Sequence, residues 1–172
     1  QDRLAAAWAD RVAESPLRSA DEALVLASLV EKETGVEADR GLVAGVFVNR
    51  LRAGMPLQTD PSVIYGLGAA FDGNLRKRDL LADGPYNTYA REGLPPTPIC
   101  LPGRAALEAA VRPSEGNELF FVARGDGSHE FSATLGELTD LLNKGERFPE
   151  IVESKRALDA VGIVSQLPIG SL

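Results

Sequence analysis

A segment of ten residues, LASLVEKETG, carries the side chain best suited to acid–base chemistry, Glu33. At about 100° per residue, a helix would place Glu33 on the same face as Leu29 and Val30, and Glu31 on the opposite face. Aliphatic surroundings raise the pKa of a carboxyl group, and so does the last turn of a helix. A carboxylic acid that is protonated near neutral pH can act as a general acid. The alternative is a glutamate that bends outward to water or pairs with an arginine.

The helix that positions this carboxylate has clear end signals. Ser19 and Glu22 form a capping box, which predicts a helix start near Ala20. Gly35 is a typical residue just beyond a helix C-terminus, so the helix is predicted to end near Thr34.

The remaining pattern predicts an α+β fold that is rich in helices and has one small antiparallel sheet, a β-hairpin. Residues 55–103 are rich in Pro, Gly, Tyr, Asn and Asp, and their scattered apolar residues favour a long ordered loop region. Helices are predicted at residues 3–13, 20–34, 37–53, 61–65, 76–81, 104–111 and 134–143, and strands at residues 119–123 and 129–132.

Composition limits the function classes. A net charge of −7 argues against binding nucleic acid or an anionic membrane through charge. One Cys and one His exclude an internal disulfide and a multi-histidine metal site, so no metal or cofactor is expected. No stretch approaches the roughly 20 apolar residues of a membrane span. We expect one domain at residues 1–145 and a C-terminal extension of unknown role at residues 146–172.

Several motifs stand in a fixed order along the chain. They are ASLVEKET (27–34), VNRL (48–51), LQTDP (57–61), VIYG (63–66), YNTY (86–89), GLPP (93–96) and PG (102–103), followed by the hairpin segments FFVA (120–123) and HEF (129–131). In this order they resemble the YceG-like or MltG family of endolytic murein transglycosylases, over roughly residues 19–134. The resemblance implies cleavage of the β-1,4 bond between N-acetylmuramic acid and N-acetylglucosamine in peptidoglycan. It implies a single catalytic glutamate, which matches Glu33.

The resemblance also implies a mechanism and a setting. The glutamate would serve as general acid and then as base, and the strand would end in a 1,6-anhydro sugar. The expected partners are peptidoglycan glycan strands and cell-wall synthases such as penicillin-binding proteins. The expected location is the extracytoplasmic face of the cell membrane, through an anchor that this chain does not contain. Two alternatives are a non-catalytic peptidoglycan-binding or scaffold module and a muramidase that uses two carboxylates.

Five residues of the loop region are expected to bind the glycan: Gln58, Asp60, Tyr65, Tyr86 and Asn87. Amides donate and accept hydrogen bonds, as sugar hydroxyl and acetamido groups require, and tyrosine rings can pack on sugar faces. The alternative for these side chains is loop structure. For Asp60 there are two alternatives. It could be the N-cap of a helix that begins with proline, or a second catalytic carboxylate if it faces Glu33.

One arginine, Arg50, falls on the apolar side of its predicted helix. It is expected either to pair with a buried acid or to extend its charged end to water.

Overall fold

The computed structural model describes residues 2–143, and the predicted extension at residues 146–172 lies outside them. The described part contains α1 (Asp2–Ala9), α2 (Ala20–Glu33), α3 (Glu37–Ala53), α4 (Asp60–Leu67), α5 (Lys77–Leu81), α6 (Arg104–Val111), β1 (Phe120–Ala123), β2 (His129–Ser132) and α7 (Leu135–Asn143), with a 3-10 turn at Gly68–Ala70. This order confirms the predicted α+β class. Among the described helices, none combines the length and apolarity needed to cross a bilayer.

The main core lies where α2, α3 and α6 pack against one another. Leu26 and Leu29 of α2, Val43 and Phe47 of α3, and Ala110 of α6 have no exposed surface. Burial of apolar side chains is worth about 25 cal/mol per Å² removed from water, and this packing fixes α2 between its neighbours. The helix that carries Glu33 is therefore held along its length by the core.

The third helix begins and ends where the sequence predicts. Gly54 follows it with φ of 64°, the left-handed conformation that lets a chain leave a helix without a Cβ clash. Gly45, in the middle of α3, allows close approach of the chain that follows α6. A Cβ at this position would lie 2.9 Å from the carbonyl oxygen of Ser114.

The hairpin packs against α3 and the main core. Strands β1 and β2 are antiparallel, with Phe120 opposite Ser132 and Ala123 opposite His129. The backbone N–H of His129 donates to Asp39 Oδ2 of α3 over 2.9 Å, and the ring atom Nδ1 lies 3.0 Å from the same oxygen. These contacts join the sheet to the helix layer.

The first helix is shorter than predicted, because it ends at Ala9 and not at residue 13. The chain turns away there, and the N–H of Val12 donates to the carbonyl of Val111 at the end of α6 over 3.0 Å. Packing against α6 therefore overrides the local apolar pattern.

Candidate active site

The C-terminus of α2 presents Glu33. Ser19 caps the other end, accepting a hydrogen bond from Glu22 N over 3.2 Å, as the capping box predicts. The helix ends at Glu33 because Thr34 adopts an extended conformation with φ of −141°. Thr34 is the C-cap and Gly35 follows it, as the sequence predicts, although Gly35 is not in the left-handed conformation. The Thr34 hydroxyl accepts a hydrogen bond from Val36 N.

The two glutamates of the EKE motif have different surroundings. Glu33 is partly buried, and its carboxyl group lies on the side of α2 that faces α4. Glu31 Oε2 accepts a hydrogen bond of 3.0 Å from the N–H of Gly103, at the start of α6. The two carboxyl groups therefore point to different sides of α2, as the helical pattern predicts, and Glu31 contacts the backbone that precedes α6.

Thr59, just before α4, contacts the Glu33 carboxyl group directly. Its Oγ1 donates a hydrogen bond of 2.8 Å to Glu33 Oε2. The residue is buried, and its N–H donates to Thr88 Oγ1 over 3.0 Å while its carbonyl accepts from Ser62 Oγ over 2.9 Å. These bonds hold the threonine hydroxyl in place against Glu33.

The pKa of Glu33 is raised from its ordinary value of 4.5 to about 7. The largest cause is burial, which removes water from the carboxyl group and disfavours the ionised form. The Thr59 hydrogen bond opposes this by stabilising the carboxylate. The negative charge of Asp60 raises the pKa further, and the positive charge of Arg50 lowers it. The protonated form of Glu33 therefore persists to higher pH than that of a solvent-exposed glutamate.

Arg50 lies beneath the turn that leads to Thr59. It is 7% exposed, and Nη1 donates to the carbonyls of Pro56 and Leu57 over 3.2 and 3.0 Å and to Gln58 Oε1 over 3.0 Å. Its Nε donates to the carbonyl of Leu119 over 2.7 Å. Burial lowers the pKa of the guanidinium to about 10.

Both expectations for this arginine were wrong. Its nitrogens bind backbone carbonyls and one amide, and among the described residues no carboxylate lies within ion-pair distance of them. The charged end stays inside the protein, because the carbonyls of the turn replace its water.

Asp60 lies at the first position of α4, next to Thr59. Its Oδ1 accepts a hydrogen bond of 2.5 Å from the hydroxyl of Tyr89. Burial and the charge of Asp60 raise the pKa of the Tyr89 hydroxyl above its ordinary range, so it remains a donor. The N-cap expectation was wrong, because Thr59 is the N-cap and the helix starts one residue earlier than predicted.

Tyr65 and Tyr86 form an aromatic pair. Their ring centroids are 4.9 Å apart and their planes meet at 63°. Tyr65 is 46% exposed, whereas Tyr86 is partly buried and its hydroxyl lies 2.7 Å from Thr97 Oγ1. Tyr65 therefore gives α4, the helix that begins at Asp60, an exposed aromatic ring that packs against Tyr86.

Asn87 is buried and its amide is fully used by the fold. Nδ2 donates to the carbonyls of Asp79, Leu80 and Ala82, and Oδ1 accepts from the backbone N–H groups of Tyr89 and Ala90. This is the loop role that the sequence left open. A contact between this amide and a glycan stays a prediction, and it would require some of these bonds to break.

The structure thus brings Glu33, Thr59, Gln58 and Asp60 together at one junction, with Tyr65 farther along α4 and Tyr86 packed against its ring. Thr59 and Tyr89 were not singled out from the sequence, although both lie inside motifs that it shows, LQTDP and YNTY. The signal available was their position beside the candidates Gln58, Asp60 and Asn87. Among residues 2–143, no group of three or more His, Cys, Asp or Glu side chains could hold a metal ion.

One cavity of the described part lies away from this junction. It measures about 730 Å³, lies between α1, α2 and α6, and is lined by residues such as Leu4, Leu24 and Arg104. A smaller cleft of about 250 Å³ is lined by Asn87, Thr88 and Leu94. Thr88 is the residue whose hydroxyl accepts a hydrogen bond from Thr59 N. The junction at Glu33 is therefore defined by its chemistry and not by cavity size.

Comparison with known proteins agrees with these motifs. The model of the YceG-like family matches residues 1–144, which include every candidate residue described above. The chain belongs to the YceG-like family. The match extends beyond residues 19–134, over which the motifs alone carried the resemblance.

Relatives of this YceG-like chain include proteins named endolytic murein transglycosylase. A protein of Bacillus subtilis strain 168 named endolytic murein transglycosylase is 46% identical over 119 residues, which are 69% of this chain and 33% of that protein. A protein of the same name from Streptococcus pneumoniae strain D39 is 39% identical over 107 residues, which are 60% of this chain and 19% of that protein. The chain thus spans a third or less of these relatives.

A solved structure has a similar fold. The crystal structure of a YceG-like protein from Listeria monocytogenes superposes with a TM-score of 0.65 and 42% sequence identity. The superposition covers 72% of this chain and 39% of the other.

Proposed function

We propose that this chain carries the catalytic domain of a lytic transglycosylase. Its substrate would be the β-1,4 bond between N-acetylmuramic acid and N-acetylglucosamine within peptidoglycan strands. Two observations support this function: family membership with relatives named endolytic murein transglycosylase, and a glutamate at the end of α2 that accepts a hydrogen bond from Thr59 and whose pKa burial raises to about 7. The second is the observation that carries the mechanism.

In the first step Glu33 acts as the general acid. Within residues 2–143, the hydrogen bond that the Glu33 carboxyl group makes is the one that its Oε2 accepts from Thr59. The proton therefore belongs on Oε1, which can transfer it to the glycosidic oxygen as the bond from C1 to that oxygen breaks. The N-acetylglucosamine leaves with a free 4-hydroxyl group.

In the second step the same residue acts as the general base. The C6 hydroxyl of the muramic acid attacks C1, and the ionised Glu33 accepts the hydroxyl proton, which restores its initial state. The product is a 1,6-anhydro ring, and no water is consumed. An attacking group that belongs to the substrate is already close to C1, so the protein does not have to position a water molecule. A pKa near the working pH suits a group that must donate and then accept one proton.

The surrounding residues have proposed roles in binding the glycan. Tyr65 offers an exposed ring for contact with a sugar face, and Tyr86 supports it from the side. Gln58 and Asp60 flank Thr59 and so lie beside the reacting carboxyl group. Asn87 shapes the loop that supplies Thr88 and Tyr89 to the same junction.

A muramidase is the second candidate, and Asp60 is the observation that favours it. Its charge is close enough to Glu33 to raise the pKa of that residue, and Tyr89 holds it in place. A hydrolase would use this carboxylate as nucleophile or base and would leave a reducing end. The distinction rests on the product.

Mass spectrometry of the products decides between these candidates. Purified glycan strands are incubated with the wild-type chain, with Glu33→Gln and with Glu31→Gln, the matched control two residues away. A lytic transglycosylase gives anhydro-muramic ends with the wild type and Glu31→Gln, and none with Glu33→Gln. Reducing ends would indicate hydrolysis, and binding without any cleavage would indicate a scaffold module.

The proposed substrate also defines a setting for the full-length protein. Peptidoglycan lies outside the cytoplasmic membrane, so the function requires an extracytoplasmic location. Cell-wall synthases such as penicillin-binding proteins work on the same strands and are the proposed partners.

A further inference from the structure

Gln58 has an unusual backbone for its residue type. Its φ is 53°, and within residues 2–143 no other non-glycine residue has a positive φ. The N–H of Gln58 donates to the carbonyl of Thr88 over 3.0 Å, which secures the turn. Strained conformations of this kind persist where the surrounding structure holds them, and they concentrate at binding and catalytic sites.

Arg50 determines which way the Gln58 amide faces. A guanidinium group has donors only, so the amide atom at 3.0 Å from Nη1 must be the oxygen, Oε1. The amide NH2 group therefore faces away from Arg50. Among the described residues, the Gln58 side chain makes its hydrogen bond through Oε1. The Nε2 atom is not buried without a partner.

Gln58 is also the immediate neighbour of the residue that contacts the catalytic carboxyl group. Thr59 donates to Glu33 from the next position in the chain, and both residues are held by Thr88. Gln58 itself is partly exposed. A glycan whose scissile bond lies at Glu33 would thus meet a fixed hydrogen-bond donor one residue away.

We propose that Arg50 orients Gln58 so that its NH2 group donates a hydrogen bond to the acetamido carbonyl of a peptidoglycan sugar at the cleavage site. This inference rests on the proposed function. An amide carbonyl is an acceptor only, whereas a sugar hydroxyl both donates and accepts and would fit an amide in either orientation. A buried arginine that fixes one orientation therefore favours the carbonyl. Gln58 is then a specificity-determining residue and Arg50 a positioning residue.

The test compares two glycan substrates. Strands that are fully N-acetylated and strands from which the acetyl groups have been removed chemically are incubated with the wild-type chain, and the ratio of kcat/KM values is measured. The ratio is then measured for two variants. Gln58→Met has similar length and no donor, and Gln58→Glu keeps an acceptor for Arg50 but cannot donate.

We expect the wild type to prefer the acetylated strands and both variants to lose about three- to tenfold of that preference, which is what loss of one neutral hydrogen bond costs. A wild type without preference, or variants that keep it in full, would overturn the inference and leave the proposed function intact. Absence of cleavage of either strand by the wild type would overturn the proposed function, and the inference with it.

Arg50→Lys tests the positioning role. It keeps the positive charge but cannot donate to the Leu119 carbonyl from one nitrogen while a second nitrogen donates to Gln58. We expect a reduced preference for acetylated strands in protein whose circular dichroism matches the wild type. A folded variant with the full preference would show that Arg50 only supports the fold and would overturn its part of the inference.

Discussion

Thr59 Oγ1 donates a hydrogen bond of 2.8 Å to Glu33 Oε2, and this contact joins the end of α2 to the start of α4. The helix provides a carboxyl group at the edge of the core, where burial favours the protonated form. The threonine hydroxyl counters that effect, because it stabilises the ionised form. These are the two largest influences on the pKa of Glu33, and the charges of Asp60 and Arg50 add smaller ones.

Removal of the threonine hydroxyl should raise the pKa of Glu33. In Thr59→Val the shape of the side chain remains, but the carboxylate loses its donor. Hydrogen bonds to charged groups are worth about 1.5–3 kcal/mol, so the alkaline limb of the kcat/KM–pH profile should move up by about one pH unit or more. Thr59→Ser keeps the hydroxyl and is the matched control. A profile that does not move in Thr59→Val would contradict this role.

Burial of Glu33 should make stability depend on pH. The pKa of this residue is about 7 in the folded protein and 4.5 is its ordinary value, so between these pH values the folded state binds more protons than the unfolded state. Folding stability contributed by this group therefore falls as pH rises through that window. Glu33→Gln removes the effect. Its stability relative to the wild type should increase by up to about 3 kcal/mol between pH 4 and pH 8.

Urea unfolding of the wild type and of Glu33→Gln at several pH values in this range measures the difference. Glu31→Gln is the control, since its partner is the backbone N–H of Gly103. If the advantage of Glu33→Gln were the same at pH 4 and pH 8, the carboxyl group would not be desolvated as described.

Part of this site follows from the sequence, and part does not. The helical period of α2 distinguishes Glu33 from Glu31, because it places Glu33 on the face of the apolar residues and Glu31 on the opposite face. The contact with Thr59 joins positions 26 residues apart, and only the packing of α4 against α2 creates it. Local sequence patterns do not predict a contact between positions so far apart.

The same limit explains the errors at Arg50 and Asp60. Helical periodicity correctly placed Arg50 on the buried side of α3, but its partners are carbonyls of a later turn that the pattern does not describe. Asp60 has a typical N-cap residue type, yet Thr59 precedes it and takes that position. Long loops fold through such non-local bonds, so their motifs were visible in the sequence while their geometry was not.

Neutralisation of Asp60 should lower the pKa of Glu33. Its negative charge raises that pKa, so Asp60→Asn should move the alkaline limb of the kcat/KM–pH profile to lower pH while the products keep anhydro-muramic ends. Asp21→Asn, an exposed carboxylate at the start of α2, is the control and should leave the profile in place. Complete loss of cleavage in folded Asp60→Asn would instead identify a second catalytic carboxylate and favour the muramidase.

Substitution of Asn87 should destabilise the protein. Asn87→Ala removes an amide that makes five hydrogen bonds to the backbone and leaves buried carbonyls and N–H groups without partners. We expect a loss of about 2–4 kcal/mol in the free energy of unfolding, measured by urea denaturation. Asn74→Ala, at an exposed position, should change it by less than about 0.5 kcal/mol. A stable Asn87→Ala variant with weak glycan binding would instead support a direct contact with substrate.

The most direct test of this account is titration of Glu33 itself. The wild-type chain and Glu33→Gln are labelled with ¹³C at the glutamate side-chain carboxyl carbons, and NMR spectra are recorded from pH 3 to pH 9. The resonance absent from the variant belongs to Glu33. We predict that it titrates with a midpoint of about 7. A midpoint near 4.5 would show an ordinary solvated carboxylate and would contradict its proposed role as acid and base.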